Sequence, residues 1–197
     1  VKLVIVDTGC ANISSVRFAI ERLGYEVAVS DQAETIKSAD KVFLPGVGAA
    51  AAAMEQIRNK KLDTLLPELT QPVLGICLGM QLMTRFSEEG QADCLNLIDT
   101  EVRRMQVGDK RLPHMGWNQV TPECNSPLFR DIEAKSYFYF VHSFAVALGE
   151  HTLASCDYGG RFSASIGQEN FYGVQFHPER SGPVGAKLLQ NFIQYCE

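Results

Sequence analysis

The 197-residue chain carries 46 % hydrophobic and 21 % charged residues, a globular rather than disordered balance. At that length folding buries roughly 70 % of the unfolded surface, so neither disulfide staples nor a structural metal is needed. The net charge of −5 argues against a nucleic-acid or membrane-surface role, because both demand clustered cations. A solvated loop accounts for the loose group Arg103, Arg104, Lys110 and Arg111.

Cys10, Cys77, Cys94, Cys124, Cys156 and Cys196 contain no C-x-x-C pair, so a thiolate metal site is not expected. No apolar run approaches the roughly 18 residues of a membrane span. The opening VKLVIVD lacks a charged leader, so no signal peptide is expected, and a reducing cytoplasm is the expected compartment.

In chain order, KLVIVD (2–7) predicts a strand, and NISSVRFAIERLG (12–24), apolar at 13, 16, 20 and 23, a helix stopped by Gly24. YEVAVS (25–30) and KVFLP (41–45) predict further strands, and the alanine-rich 49–60 a helix. PVLGI (72–76) is again strand and LGMQLMTRF (78–86) again helix. Apolar strands alternating with helices predict a parallel sheet covered on both faces. Then the pattern changes. Strands are expected at 137–147, 151–159, 161–167 and 171–177, the last two forming a hairpin, before a helix at 185–196. With no repeat or linker, residues 1–197 are expected to form a single α/β domain: three layers, a mostly parallel sheet flanked by helices, and an antiparallel extension.

Gly75-Ile76-Cys77-Leu78-Gly79 has the form G-x-nucleophile-x-G between a predicted strand and a predicted helix, the setting of a nucleophile elbow. Side chains at the glycine positions would strike neighbouring backbone. The helix start favours thiolate over thiol, and the Leu78 N–H is the expected oxyanion donor. A buried, inert cysteine is the alternative for the motif taken alone. Of the four histidines, His177 ends an apolar run in GVQFHPERS, with Glu179 two residues on. Pro178 holds His177 extended, and in an extended segment residues i and i+2 share a side, so one carboxylate can orient the imidazole. That is the logic of a nucleophile, base and orienter. LPGVGAA (44–50) ends another strand and opens a helix; lacking G-K-[ST] it is no P-loop, but beside an elbow it is the natural second half of an oxyanion hole.

PGVG, GICLGMQ and GVQFHPE, in this order and at these separations, resemble a triad-type (class I) glutamine amidotransferase over essentially the whole chain. LPGVGA, PHMGWN (113–118), YFVHSF (139–144) and FHPERS (176–181) together are similar to the glutaminase-subunit branch found in imidazole glycerol phosphate synthases of histidine biosynthesis. The resemblance implies Cys77, His177 and Glu179 as triad. It implies oxyanion amides from Leu78 and Val47–Gly48, and a glutamine pocket of Gln81, Glu89, His142, Ser143 and Phe144. It also implies a heterodimer with a (β/α)8-barrel cyclase that receives ammonia, met by Asn12, Trp117, Tyr139 and Arg180, and no cofactor. Two departures stand out. The first loop reads GCANISS where the family has Gly-Asn-x-x-(Asn/Ser), and GVGAAAAAM lacks a bulky residue after the glycine pair. Amidotransferase subunits of the anthranilate or CTP type, a stand-alone γ-glutamyl hydrolase with the same triad, and a non-catalytic protein of the same fold stay open as alternatives.

Overall fold

A computed structural model of the chain describes residues 1–9 and 12–197; Cys10, one of the six thiols counted above, and the middle of the GCANISS loop lie outside the described residues. The first half runs β1 (Leu3–Val6), α1 (Ile13–Arg22), β2 (Val27–Ser30), α2 (Ala33–Lys37), β3 (Lys41–Gly46), α3 (Ala50–Asn59), α4 (Leu62–Leu65), β4 (Val73–Cys77) and α5 (Leu78–Leu82). The second half is richer in strands: β5 (Phe86–Ser87), β6 (Ala92–Asp93), β7 (Glu101–Arg104), β8 (His114–Pro122), β9 (Ser136–His142), β10 (Phe144–Val146), β11 (Thr152–Asp157), β12 (Arg161–Gln168) and β13 (Phe171–Val174), closed by α6 (Gly182–Tyr195).

Five strands in the order β2-β1-β3-β4-β13 pair in parallel and form the centre of the sheet. Period-2 alternation divides their side chains between two cores. Leu3, Ile5, Phe43 and Leu74 face α1 and α6, whereas Val4, Val6, Val42 and Leu44 face the side of α2, α3 and α4. Phe43 meets Phe192 of α6 edge-on with centroids 5.1 Å apart, and burial of each such ring contributes about 1.5–3 kcal/mol. The sheet is therefore the middle of three layers. Beyond β13 the pairing turns antiparallel through β12, β10 and β7. The expected hairpin joins Gln168 to Phe171, with Glu169 at φ +56° in its two-residue turn.

Two expectations need correcting, and one strand was not foreseen. The helix expected over 78–86 stops at Leu82, because the carbonyls that would extend it are taken from outside: Leu95 N–H donates to Leu82 O, and the Leu97 and Ile98 N–H groups to Met83 O. The single strand expected over 137–147 is two strands broken at Ser143. His142 still pairs with His114 of β8, while Phe144 already pairs with Arg104 of β7. PHMGWN, to which the sequence reading gave no element, opens the nine-residue strand β8. Its inward positions start with a histidine instead of an apolar residue, which hides the alternation.

Register brings the ends of β3, β4 and β13 together. Gly46 pairs with Cys77 and Val174 with Ile76, so PGVG, Cys77 and QFHPE all emerge at the carboxyl edge of adjacent parallel strands. Open α/β sheets place their ligand crevices at that edge.

Candidate active site

The chain turns from β4 into α5 at Cys77, whose backbone stands at φ +55° and ψ −113°. A non-glycine residue in such a region costs about 1–3 kcal/mol and persists only where its surroundings over-determine it. Here the surroundings are backbone. A Cβ on Gly79 would lie 1.8 Å from Leu44 O, and one on Gly75 would lie 2.8 Å from Gly79 O and from Met80 N. Both glycines are bare because β3, β4 and α5 touch through their main chains. Cys77 as a whole is left 8 % exposed.

His177 follows β13 in an extended conformation (φ −103°, ψ 95°) ahead of Pro178. Its Nδ1 lies 3.0 Å from Glu179 Oε1 and 3.3 Å from Oε2, with the two side chains 2 % and 0 % exposed. A carboxylate only accepts, so Nδ1 carries a proton and Nε2 is the nitrogen left for other chemistry. Glu179 does not reach the ring along an extended segment, as the spacing implied. Pro178–Arg180 closes a 3-10 turn instead, in which the Arg180 N–H donates to His177 O at 3.0 Å and Ser181 Oγ donates to the same carbonyl at 2.6 Å. The turn is clamped by α6, where a Cβ on Gly185 would sit 2.0 Å from Pro178 O.

Burial disfavours a charged His177, but hydrogen bonding and charge from Cys77 and Glu179 outweigh it and raise the pKa to about 10. His177 Nε2 is itself buried and has no hydrogen-bond partner among the described residues. Cys77 and His177 line one cavity, and the thiol is among the groups that favour the charged ring.

Cys77 and His177 open onto a cavity of about 240 Å³, a size suited to one amino acid rather than a drug-sized ligand. Its walls bring together Val47, Gly48, Leu78, Gln81, Glu89 and the His142–Phe144 segment, with Val141 beside them. Glu89 is held by accepting from the Ala50 N–H, at the start of α3, through Oε1 at 3.1 Å. Gln81 spends its Nε2 on Phe144 O at 3.0 Å and Gln175 Oε1 at 2.9 Å, which leaves its own carbonyl oxygen as the group to offer a ligand. Gly48 stands at φ +98° with nothing within 4 Å of a Cβ position, so its backbone conformation, not crowding, calls for glycine.

The residues expected at a partner surface are scattered. Trp117 is 54 % exposed and meets Tyr139 edge-on at 6.1 Å. With Met115, 62 % exposed, and Tyr137 they form one apolar face of the β8–β9 ribbon. Arg180 is exposed on the turn after His177. Asn12 is buried at the start of α1 and presents little surface of its own.

Sequence reasoning missed Gln175, His114 and Ser181. His114 Nδ1 lies 2.9 Å from His142 Nε2, and His142 Nδ1 lies 2.9 Å from Phe144 O. Burial, helped by the charge of Lys110, drives the His114 pKa down to about 4; burial drives that of His142 down to about 3, so both rings are neutral at pH 7. Ser181 Oγ accepts from the Tyr139 N–H at 3.0 Å and so ties the His177 turn to the ribbon. No local pattern announces these contacts.

The "Glutamine amidotransferase class-I" family model matches residues 4–195. "Imidazole glycerol phosphate synthase subunit HisH" of Vibrio parahaemolyticus is 56 % identical, the match covering 98 % of this chain and 98 % of the relative. The protein of that name from Idiomarina loihiensis is 57 % identical over 98 % of this chain and 97 % of its own. Among solved structures, PurLQS from Thermotoga maritima superposes with a TM-score of 0.74 at 20 % identity, covering 100 % of this chain and 99 % of the other. A glutamine amidotransferase from the same organism superposes at 0.63 and 16 % identity, covering 98 % and 81 %. At those identities the structural likenesses speak to fold alone.

Proposed function

Because the chain belongs to the class I glutamine amidotransferase family, we propose that it is the glutaminase subunit of an imidazole glycerol phosphate synthase, working as one domain that makes ammonia for a (β/α)8-barrel cyclase. The observation that carries the chemistry is Cys77 on a positive-φ bend at the mouth of the cavity, beside a buried imidazole whose Nδ1 is fixed 3.0 Å from Glu179.

In this reading the Cys77 sulfur attacks the carboxamide carbon of glutamine, and the carbonyl electron pair moves to oxygen. That oxyanion is held by the Leu78 N–H, which as the first residue of α5 has no intrahelical acceptor, and by an amide of the Val47–Gly48 segment. His177 delivers a proton to the departing nitrogen, so ammonia leaves and a glutamyl thioester remains. The same ring then takes a proton from water, which releases glutamate and the thiol. Glu179 keeps the ring in one orientation and favours its cationic form. The Glu89 carboxylate and the Gln81 carbonyl are acceptors suited to the substrate ammonium.

Each oxyanion donor supplies about 3–4 kcal/mol in the transition state, so turning one peptide away costs 10²–10³ in rate by the same principle. The glycine conformation at Gly48 makes the Val47–Gly48 peptide the natural switch for a partner to set. The exposed face of Met115, Trp117 and Tyr139 is the surface we assign to the cyclase.

The test is Cys77→Ala in the assembled enzyme, for which glutamine-dependent product formation falls by about 10⁴ or more while added ammonium still supports product. Loss of both activities would overturn the division of labour. In the same assay the isolated chain turns glutamine over poorly; full speed without a cyclase would mean a self-sufficient hydrolase.

A further inference from the structure

We propose that Gln175 is a further catalytic residue: its side-chain amide donates a hydrogen bond to the Cys77 sulfur and favours the anionic over the protonated nucleophile. The inference rests on the reading of Cys77 as nucleophile. Gln175 is fully buried, one residue past β13 and two before His177, and its Nε2 lies 3.8 Å from Cys77 Sγ.

Which end of this amide faces the sulfur follows from one group whose role cannot change. Phe144 O is a main-chain carbonyl and can only accept. Gln81, 3.0 Å away, must therefore turn its NH2 toward it, and the second hydrogen of that NH2 points to Gln175 at 2.9 Å. Gln175 must answer with its oxygen, which leaves its own NH2 facing Cys77. Turning Gln81 alone would set two oxygens against each other, and turning Gln175 alone would set two NH2 groups against each other. The same carbonyl accepts from His142 Nδ1 at 2.9 Å, which closes off other uses of its lone pairs. An N–H is thus locked toward the sulfur before any substrate arrives, the pre-organisation that electrostatic catalysis needs.

A second neighbour of the sulfur is the complementary group. Val141 O lies 3.9 Å from Sγ and accepts the S–H hydrogen bond of the thiol form. A thiolate has no proton to give Val141 and gains from the Gln175 donor, so the two neighbours divide the two states of the sulfur between them. Gln175 does not line the cavity. It acts on the nucleophile without touching glutamine.

The experiment uses the full chain assembled with its cyclase. Gln175→Met keeps length and removes the donor; Gln175→Glu keeps an acceptor for Gln81 and puts an oxygen where the donor was. Both are expected to lower kcat for glutamine by about ten- to hundredfold, the range a hydrogen bond to a charged group commands. KM for glutamine stays within about threefold, because no contact with substrate is lost, and alkylation of Cys77 by iodoacetamide at neutral pH slows in parallel. A merely structural residue would lower the melting temperature and leave the alkylation rate of the folded fraction unchanged. Alkylation within twofold of the parent in both variants, or a defect confined to KM, overturns the proposal. Should Gln175→Met not fold, Gln175→Glu carries the test by the same criteria. Cys77→Ala run alongside separates the failures: if it still turns over glutamine the nucleophile assignment itself falls, whereas if it is inactive and the Gln175 variants are normal, only this inference falls.

Discussion

The elbow around Cys77 and the β8–β9 ribbon lie a few residues apart in space and are built on opposite terms. At the elbow, main chain touches main chain, a side chain at Gly79 would overlap Leu44 O, and nearly everything is buried. On the ribbon, large apolar side chains stand in the open, Trp117 and Met115 above all. In the proposed reading the first holds reacting atoms to a fixed geometry and the second is the face a cyclase covers. Between them, beside the packed rings of Phe138, Phe140 and Phe176, runs a line of buried polar groups: His114, His142, the carbonyl of Phe144, Gln81 and Gln175. Rigid chemistry and an adhesive face are thus kept separate and joined by hydrogen bonds whose directions are set.

Three measurements would sharpen or break that contrast. The largest effect is expected at the elbow: Gly79→Ala should destabilise the chain by about 3–5 kcal/mol, because the Cβ meets backbone that cannot rotate away. Urea denaturation reads this directly, and a loss under 1 kcal/mol would show that β3 and α5 are not locked together. The ribbon should behave the other way. Trp117→Ala should leave stability within about 0.5 kcal/mol, yet weaken assembly with the cyclase by about 2 kcal/mol, an aromatic hot spot's usual share. Titration calorimetry checks it, and an unchanged Kd would remove Trp117 from the interface.

A third measurement separates the two regions by pH. His114 and His142 have folded-state pKa values near 4 and 3, below the roughly 6.5 of an unfolded histidine. Their contribution is whole above pH 6.5 and drains as the pH falls toward 4, on the order of 1 kcal/mol per pH unit. His177, raised to about 10, works in the reverse sense: its contribution is whole below pH 6.5 and is lost as the pH climbs toward 10. Stability measured across both limbs should therefore lose its acid slope in part with His114→Asn and leave the alkaline limb alone. An acid slope indifferent to His114 would place the pair's protonation outside folding.

Legibility in the sequence follows the reach of the interactions. The parallel strands were readable because burial on both faces leaves continuous apolar runs, and the bend at Cys77 because its glycines are local. The pairing of His177 with Glu179 was readable as a spacing, though the 3-10 turn that achieves it was not. What stayed hidden depends on distant partners. The early end of α5 is imposed by residues 95–98, and the amide of Gln175 is oriented by Gln81, 94 positions away. β8 escaped because His114 occupies a place where a strand usually buries a hydrocarbon, and it does so to reach His142.

The interruption of the long strand at Ser143 has a mechanical side. Upstream of it β8 is the one strand that β9 pairs with among the described residues, and downstream β10 is sewn into the large sheet. The ribbon is anchored again where Thr121 and Pro122 meet β11, and at Tyr139, whose N–H donates to Ser181 Oγ and whose carbonyl accepts from the His177 N–H. A torque on its outer face is therefore shared between the His177 turn and the His142–Phe144 segment, and both lie at the cavity. Whatever grips the lever presses on the imidazole's seat and on that wall together.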